Sequence, residues 1–110
     1  MPTPDDFFAI EMHVGTVLKA EPFPEARKPA IKMEIDFGPT LGVRRSSAQV
    51  TMHYTPDALV GRQVVAVTNI GERRIAGFVS QCLVLGTMPQ PTEVVLLNPD
   101  SAVANGTRIG

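Results

Sequence analysis

Ile31, Met33, Ile35 and Phe37 alternate with Lys32, Glu34 and Asp36, and no other stretch constrains the fold as strongly. A period of two puts the apolar side chains on one face of an extended strand and the charges on the other. Ala30 to Gly38 therefore reads as a strand that buries one face. Pro39-Thr40-Leu41-Gly42 turns the chain and Val43 to Val50 returns it, which predicts a hairpin.

Shorter signals fill in the rest. Thr3 caps a short helix with Pro4 in its first position and Asp5 and Asp6 near the positive end. His13 to Glu21 has strand character, with Val14, Thr16 and Leu18 on one face, and Gly15 marks a bend or a close backbone approach. Pro22 to Pro29 holds three prolines and reads as loop. Thr55-Pro56-Asp57 through Gly61 has a cap, an early Pro and a terminating Gly, hence a helix of one or two turns. Gln63 to Asn69 is a strand. A connection through Arg73-Arg74 and Gly77 leads to another from Phe78 or Val79 to Leu85. Gly86 to Thr92 reads as loop and Glu93 to Leu97 as a last strand.

The 110 residues make one domain, 1–110, with a single core. Ten Pro and nine Gly keep the strands short. Five or six such strands with a short helix after the third fit an all-β chain. The expected architecture is an OB-fold, a five-stranded Greek-key barrel with short helices and flanking N- and C-terminal segments. An SH3-like barrel has a similar strand count and is the structural rival.

Composition narrows function by exclusion. Net charge is −1, without the basic excess of a dedicated nucleic-acid binder. Basic residues are nonetheless local: Arg44, Arg45 and His53 fall in an acid-free stretch from Leu41 to Pro56, and Arg73-Arg74 forms a second point. Cys82 is alone, so no disulfide or multi-cysteine site arises within one chain, and its apolar setting reads as a buried thiol. His13 and His53 lack metal-ligand spacing. No nucleophile–base pair or phosphate-binding glycine loop is present. The expectation is a binding protein with no enzymatic activity, no cofactor and no metal. The acidic N-terminus lacks an apolar signal core, and no apolar run approaches the ~20 residues needed to cross a bilayer. A cytoplasmic protein without membrane insertion is expected.

Two stretches carry the candidate site. In Arg44-Arg45-Ser46-Ser47 with Gln49, and in Arg73-Arg74 with Phe78, Ser80 and Gln81, arginines stand close to hydroxyl and amide side chains. Guanidinium offers a planar fork to carboxylate or phosphate, while Ser and Gln offer hydrogen bonds to an extended backbone. Arg44 and Arg45 point to opposite faces of a regular strand, so one of them at most reaches a given groove. Phe78 is the candidate apolar contact for a side chain or a stacked base, the competing role being a core aromatic. The serines have ordinary backbone satisfaction as their alternative.

Several blocks resemble a known family. Ile10-Glu11-Met12-His13-Val14-Gly15-Thr16-Val17, Leu59-Val60-Gly61-Arg62-Gln63-Val64-Val65-Ala66-Val67 and Val94-Val95-Leu96-Leu97-Asn98-Pro99-Asp100 resemble the tRNA-binding domain shared by methionyl- and phenylalanyl-tRNA synthetases. Phe23-Pro24-Glu25-Ala26-Arg27, Ile35-Asp36-Phe37-Gly38, Ser46-Ser47-Ala48-Gln49 and Arg73-Arg74-Ile75-Ala76-Gly77-Phe78 resemble its free-standing bacterial branch, the CsaA-type export-related chaperones. The resemblance implies an OB-fold homodimer that holds unfolded or export-bound precursor polypeptides, with the translocase ATPase SecA as a suggested partner. It also makes the apolar N-terminal residues Phe7, Phe8, Ile10 and Met12 the expected dimer contacts. The alternative function is structure-specific tRNA binding. The related domains commonly carry Ser-Glu-Gly-Met where this chain has Ser80-Gln81-Cys82-Leu83, a departure that favours polypeptide.

Overall fold

A computed structural model describes all of residues 1–110. Its elements in order are α1 (Pro4–Ala9), β1 (Met12–Pro22), β2 (Ile31–Asp36), α2 (Gly38–Leu41), β3 (Val43–Ala48), α3 (Pro56–Leu59), β4 (Gln63–Val67), β5 (Arg73–Ile75), β6 (Phe78–Ser80), β7 (Leu83–Val84), β8 (Gly86–Gln90) and β9 (Glu93–Leu96). Five strands form an antiparallel sheet in the order β3-β2-β1-β4-β7. The sheet curls into a nearly closed barrel with α3 between its third and fourth strands, which is the OB-fold. No helix is long and apolar enough to cross a membrane.

The alternating run lies where its pattern requires. Ile31, Met33, Ile35 and Phe37 are buried and join Val17, Val50, Leu59, Val64, Ala66 and Cys82 in one core. Gly15 is needed for that packing, because a Cβ there would lie 2.6 Å from Ile35 Cγ2 and 2.7 Å from Phe37 Cδ1. A bulge between Val17 and Lys19 then shifts the register against β2. It leaves Leu18 exposed beside buried Val17. Val14, on the same face as Thr16, is covered from outside by the C-terminal segment. Its N–H donates to the Thr107 carbonyl and its own carbonyl accepts from Gly106.

Three local expectations are corrected. Gly86–Thr92 is not loop but β8 and the turn that pairs it with β9; the ladder skips between Thr87 and Gln90, which accommodates Pro89. Phe78–Leu85 is not one strand, because β6 folds back on β5 while Leu83–Val84 alone joins β4. The turn of the first hairpin, Pro39–Gly42, is a single helical turn spanning Gly38–Leu41.

The helix caps form as expected. Thr3 and Asp6 make a reciprocal capping box on α1, and Thr55 caps α3. The β5–β6 hairpin turns on Ala76 and Gly77, both at positive φ (47° and 81°), the geometry that continues the right-handed twist of its strands.

Candidate functional site

β3 is paired with β2 along one edge, and the fate of its other edge organises the site. At Arg45 that edge is closed. The Gln81 N–H donates to the Arg45 carbonyl at 2.7 Å, and the Arg45 N–H donates to Gln81 Oε1 at 2.9 Å. Beneath this bridge Ser46 Oγ and Ser80 Oγ both donate to the carbonyl of Cys82, at 3.0 and 3.2 Å. The Cys82 thiol lies against the Arg45 carbonyl, and burial pushes its pKa up to about 11.

Four of the expected ligand contacts are therefore occupied with the fold itself. Ser46 is fully buried and Ser80 nearly so, so neither hydroxyl is offered to a ligand. Gln81 spends its side-chain oxygen on Arg45. Arg44 points to the opposite face from Arg45, as strand alternation demands. Its guanidinium is held by the carbonyls of Thr68 and Leu41. The physical reason is common to all four: closing a barrel leaves backbone carbonyls and N–H groups that need partners, and these polar side chains supply them.

Ser47, Gln49 and Arg73 are brought together in a cleft of about 520 Å³. β3, β7, the β5–β6 hairpin, the tip of the β8–β9 hairpin and the β1–β2 loop enclose it. More than half of its lining is apolar, including the exposed side chains of Leu83 and Met88. Its charged residues are Arg27, Lys28 and Arg73; no carboxylate and no aromatic ring lines it. Arg27 and Lys28 are missing from the residues expected from sequence. Their only signal was membership of the loop between the first two strands, a segment that OB-folds use for binding.

Arg45 and Phe78 form a second, smaller feature on the outer face of β2 and β3. The Phe78 ring is half-buried and meets buried Phe23 edge-on, with centroids 5.5 Å apart. The Arg45 guanidinium stands 5.0 Å from its centroid and Lys32 Nζ 5.8 Å, within the range of cation–π attraction. A pocket of about 110 Å³ opens beside it, where Lys19, Glu21 and Glu34 add mixed charge. Arg74 is exposed on β5, opposite Val79.

On the far side of the barrel, Phe7, Phe8 and Ile10 are 43%, 52% and 46% exposed, and Met12 is partly buried. No residue of α1 is buried. Polar bonds hold this segment in place, from Asn69 to the Ala9 carbonyl and from Arg108 to the Phe8 carbonyl. Next to it, His13 is 8% exposed and bonded through Nδ1 to Thr68 Oγ1 at 2.8 Å. Burial lowers its pKa from 6.5, Glu11 opposes that shift, and Arg108 and Arg44 add to it.

Comparison with known proteins fits this arrangement. The family model described as "Putative tRNA binding domain" matches residues 12–108. The crystal structure of the chaperone CsaA from Bacillus anthracis is 50% identical, covers 100% of this chain and 99% of its own, and superposes with a TM-score of 0.95. The CsaA chaperone protein from Picrophilus torridus is 39% identical with both chains fully covered and a TM-score of 0.92. The methionine–tRNA ligase of Chlorobium chlorochromatii is 32% identical over 96% of this chain, which spans only 14% of that enzyme's length. Fold, family match and full-length similarity agree: the chain belongs to the tRNA-binding-domain family and, within it, groups with the CsaA proteins.

Proposed function

We propose that this protein is a homodimeric, ATP-independent holding chaperone of the cytoplasm, binding unfolded or export-bound polypeptides without catalysing a reaction. The observation that carries the reading is the 520 Å³ cleft, with its apolar lining, basic rim and lack of aromatic rings. A groove for single-stranded nucleic acid uses aromatic side chains as stacking platforms. Aliphatic and methionine side chains instead accommodate varied apolar residues at little cost in specificity. The full-length likeness to two CsaA chaperones supports the same reading.

The exposed apolar face of Phe7, Phe8 and Ile10 is the surface proposed to pair two copies. Two clefts on one dimer then give avidity for a long flexible client. SecA is the partner that an export role suggests.

The Phe78 ring, flanked by Arg45 and Lys32, favours a second reading as a tRNA-binding protein, consistent with the family match. Titration with a labelled unstructured polypeptide and with bulk tRNA, each at low and near-physiological salt, separates the two. The chaperone reading expects polypeptide binding that survives salt. Tight tRNA binding with a steep salt dependence and no polypeptide binding would overturn it.

A further inference from the structure

The C-terminal residues 103–109 lie along the start of β1 as a strap. The Val14 N–H donates to the Thr107 carbonyl, the Gly106 N–H to the Val14 carbonyl at 2.7 Å, and the Ile109 N–H to the Met12 carbonyl. Side chains clamp the same stretch. The Gln63 amide accepts from the Val103 N–H at 3.1 Å and donates to the Val103 carbonyl at 2.7 Å. Thr16 Oγ1 and Gln63 Nε2 both donate to Asn105 Oδ1, at 2.7 and 3.3 Å. The end of the strap reaches back to α1, where Arg108 donates to the Phe8 carbonyl.

Among the asparagines of the chain, Asn69 precedes Ile70, Asn98 precedes Pro99 and Asn105 precedes Gly106. The following residue decides how each one ages. Deamidation begins when the next backbone nitrogen loses its proton and attacks the side-chain carbonyl carbon. The new C–N bond closes a succinimide ring, and the side-chain amide nitrogen leaves as ammonia. Water then opens the ring at either carbonyl, giving an aspartyl or an isoaspartyl residue. Pro99 has no N–H to lose, and the β-branched Ile70 crowds the ring. Gly106 has no side chain to hinder closure, yet the fold withholds both reacting groups. The Gly106 N–H is spent on Val14, and Thr16 and Gln63 pin the Asn105 carboxamide by its oxygen.

We propose that Asn105–Gly106 is a latent deamidation site, guarded by the strap and modified when the strap lifts from β1 by local opening. The isoaspartyl product makes the modification permanent in the fold, because it inserts an extra carbon into the main chain. The turn has no slack for it: Gly106 holds φ 89°, and a Cβ built there would lie 2.5 Å from the Phe37 carbonyl oxygen. A strap so modified does not reseat, and α1 loses the bond from Arg108. The inference is independent of what the cleft binds.

The test incubates the intact protein at mildly alkaline pH, native and in guanidinium chloride at the same pH and temperature. Mass spectrometry and isoaspartyl content of the peptide carrying Asn105 give the rate. The native protein is expected to react at least about tenfold more slowly than the denatured chain, the factor set by a local opening of ~1.4 kcal/mol or more. Gln63→Ala removes the clamp on Val103 and one donor to Asn105, and should raise the native rate by at least about threefold. Thr16→Val, which removes only the other donor, should raise it less. Ser46→Ala with Ser80→Ala, which weakens the barrel away from the strap, should leave it unchanged. Equal rates in native and denatured protein overturn the inference, because the strap then guards nothing. Unchanged rates in both clamp variants overturn it as well. A rate that follows global stability across all the variants also does so, since complete unfolding would then be what exposes the site. Modification at Asn69 or Asn98 with Asn105 intact likewise overturns it.

Discussion

Arg45 and Ser47 sit two residues apart on the same strand and present their backbones to the same edge, yet one is sealed and the other is open. At Arg45 the opposing segment brings a glutamine whose backbone and side chain satisfy both groups, and two buried serines tie down the carbonyl behind it. At Ser47 no ladder continues along that edge, and the residue lines the cleft. The sealed half is rich in side chains that resemble ligand contacts but serve the fold. The open half has fewer such side chains. The boundary thus separates side chains that serve the fold from the cleft proposed to bind polypeptide, and substitutions on its two sides are expected to have opposite signatures.

The largest effect is expected from the double substitution Ser46→Ala with Ser80→Ala. It strips the buried Cys82 carbonyl of both hydroxyl donors and should lower unfolding free energy by about 2–4 kcal/mol, read as a drop in the urea midpoint. Peptide affinity measured well below the melting temperature should be retained. Next comes Arg73→Glu, which reverses a charge on the cleft rim. Affinity for an acidic unstructured polypeptide should fall by about tenfold, while stability changes by less than about 0.5 kcal/mol, as for most surface changes. The opposite outcome for this pair of variants would erase the distinction between sealed and open halves.

Gln81→Ala sharpens the boundary itself. It frees the Arg45 N–H at an exposed position where water offers partial replacement, so a loss of about 0.5–1 kcal/mol is expected. Amide exchange should accelerate at Arg45 more than at strand-centre positions of β2.

The smallest effect concerns the far end of the barrel. His13 has a lowered pKa in the folded state, chiefly through burial, so the unfolded chain takes up its proton first as pH falls below about 6.5. Its contribution to stability is complete above that pH and is lost as pH drops through the folded-state value. The difference in denaturation midpoint between pH 7.5 and pH 5 should shrink in His13→Gln.

Much of this fold is legible in the residues. The period of two from Ile31 to Phe37 dictates β2 and its core face, the Thr3 and Thr55 caps fix α1 and α3, and Gly15 announces the close approach of β2. The β8 strand is illegible because Gly86 and Pro89 inside it and Pro91 just after it outweigh its pairing signal, and only the partner β9 restores it. The site is legible in part. Ser47, Gln49 and Arg73 reach the cleft, and Arg45 meets Phe78 outside it. Ser46, Gln81 and Arg44 have the right chemistry for a ligand, but which backbone group each one faces depends on how the barrel closes, and Ser80 bonds to the carbonyl two residues on. That closure joins residues 36 positions apart, and no local pattern encodes it.

Cys82 gives the boundary a clock of its own. The chain's single thiol is sealed behind the seam and held protonated at neutral pH, so an alkylating reagent can label it only during moments when the seam parts. The rate at which unmodified protein takes up one label therefore counts spontaneous unzipping events. If the cleft holds a polypeptide as proposed, the count with and without that polypeptide differs in unmodified protein.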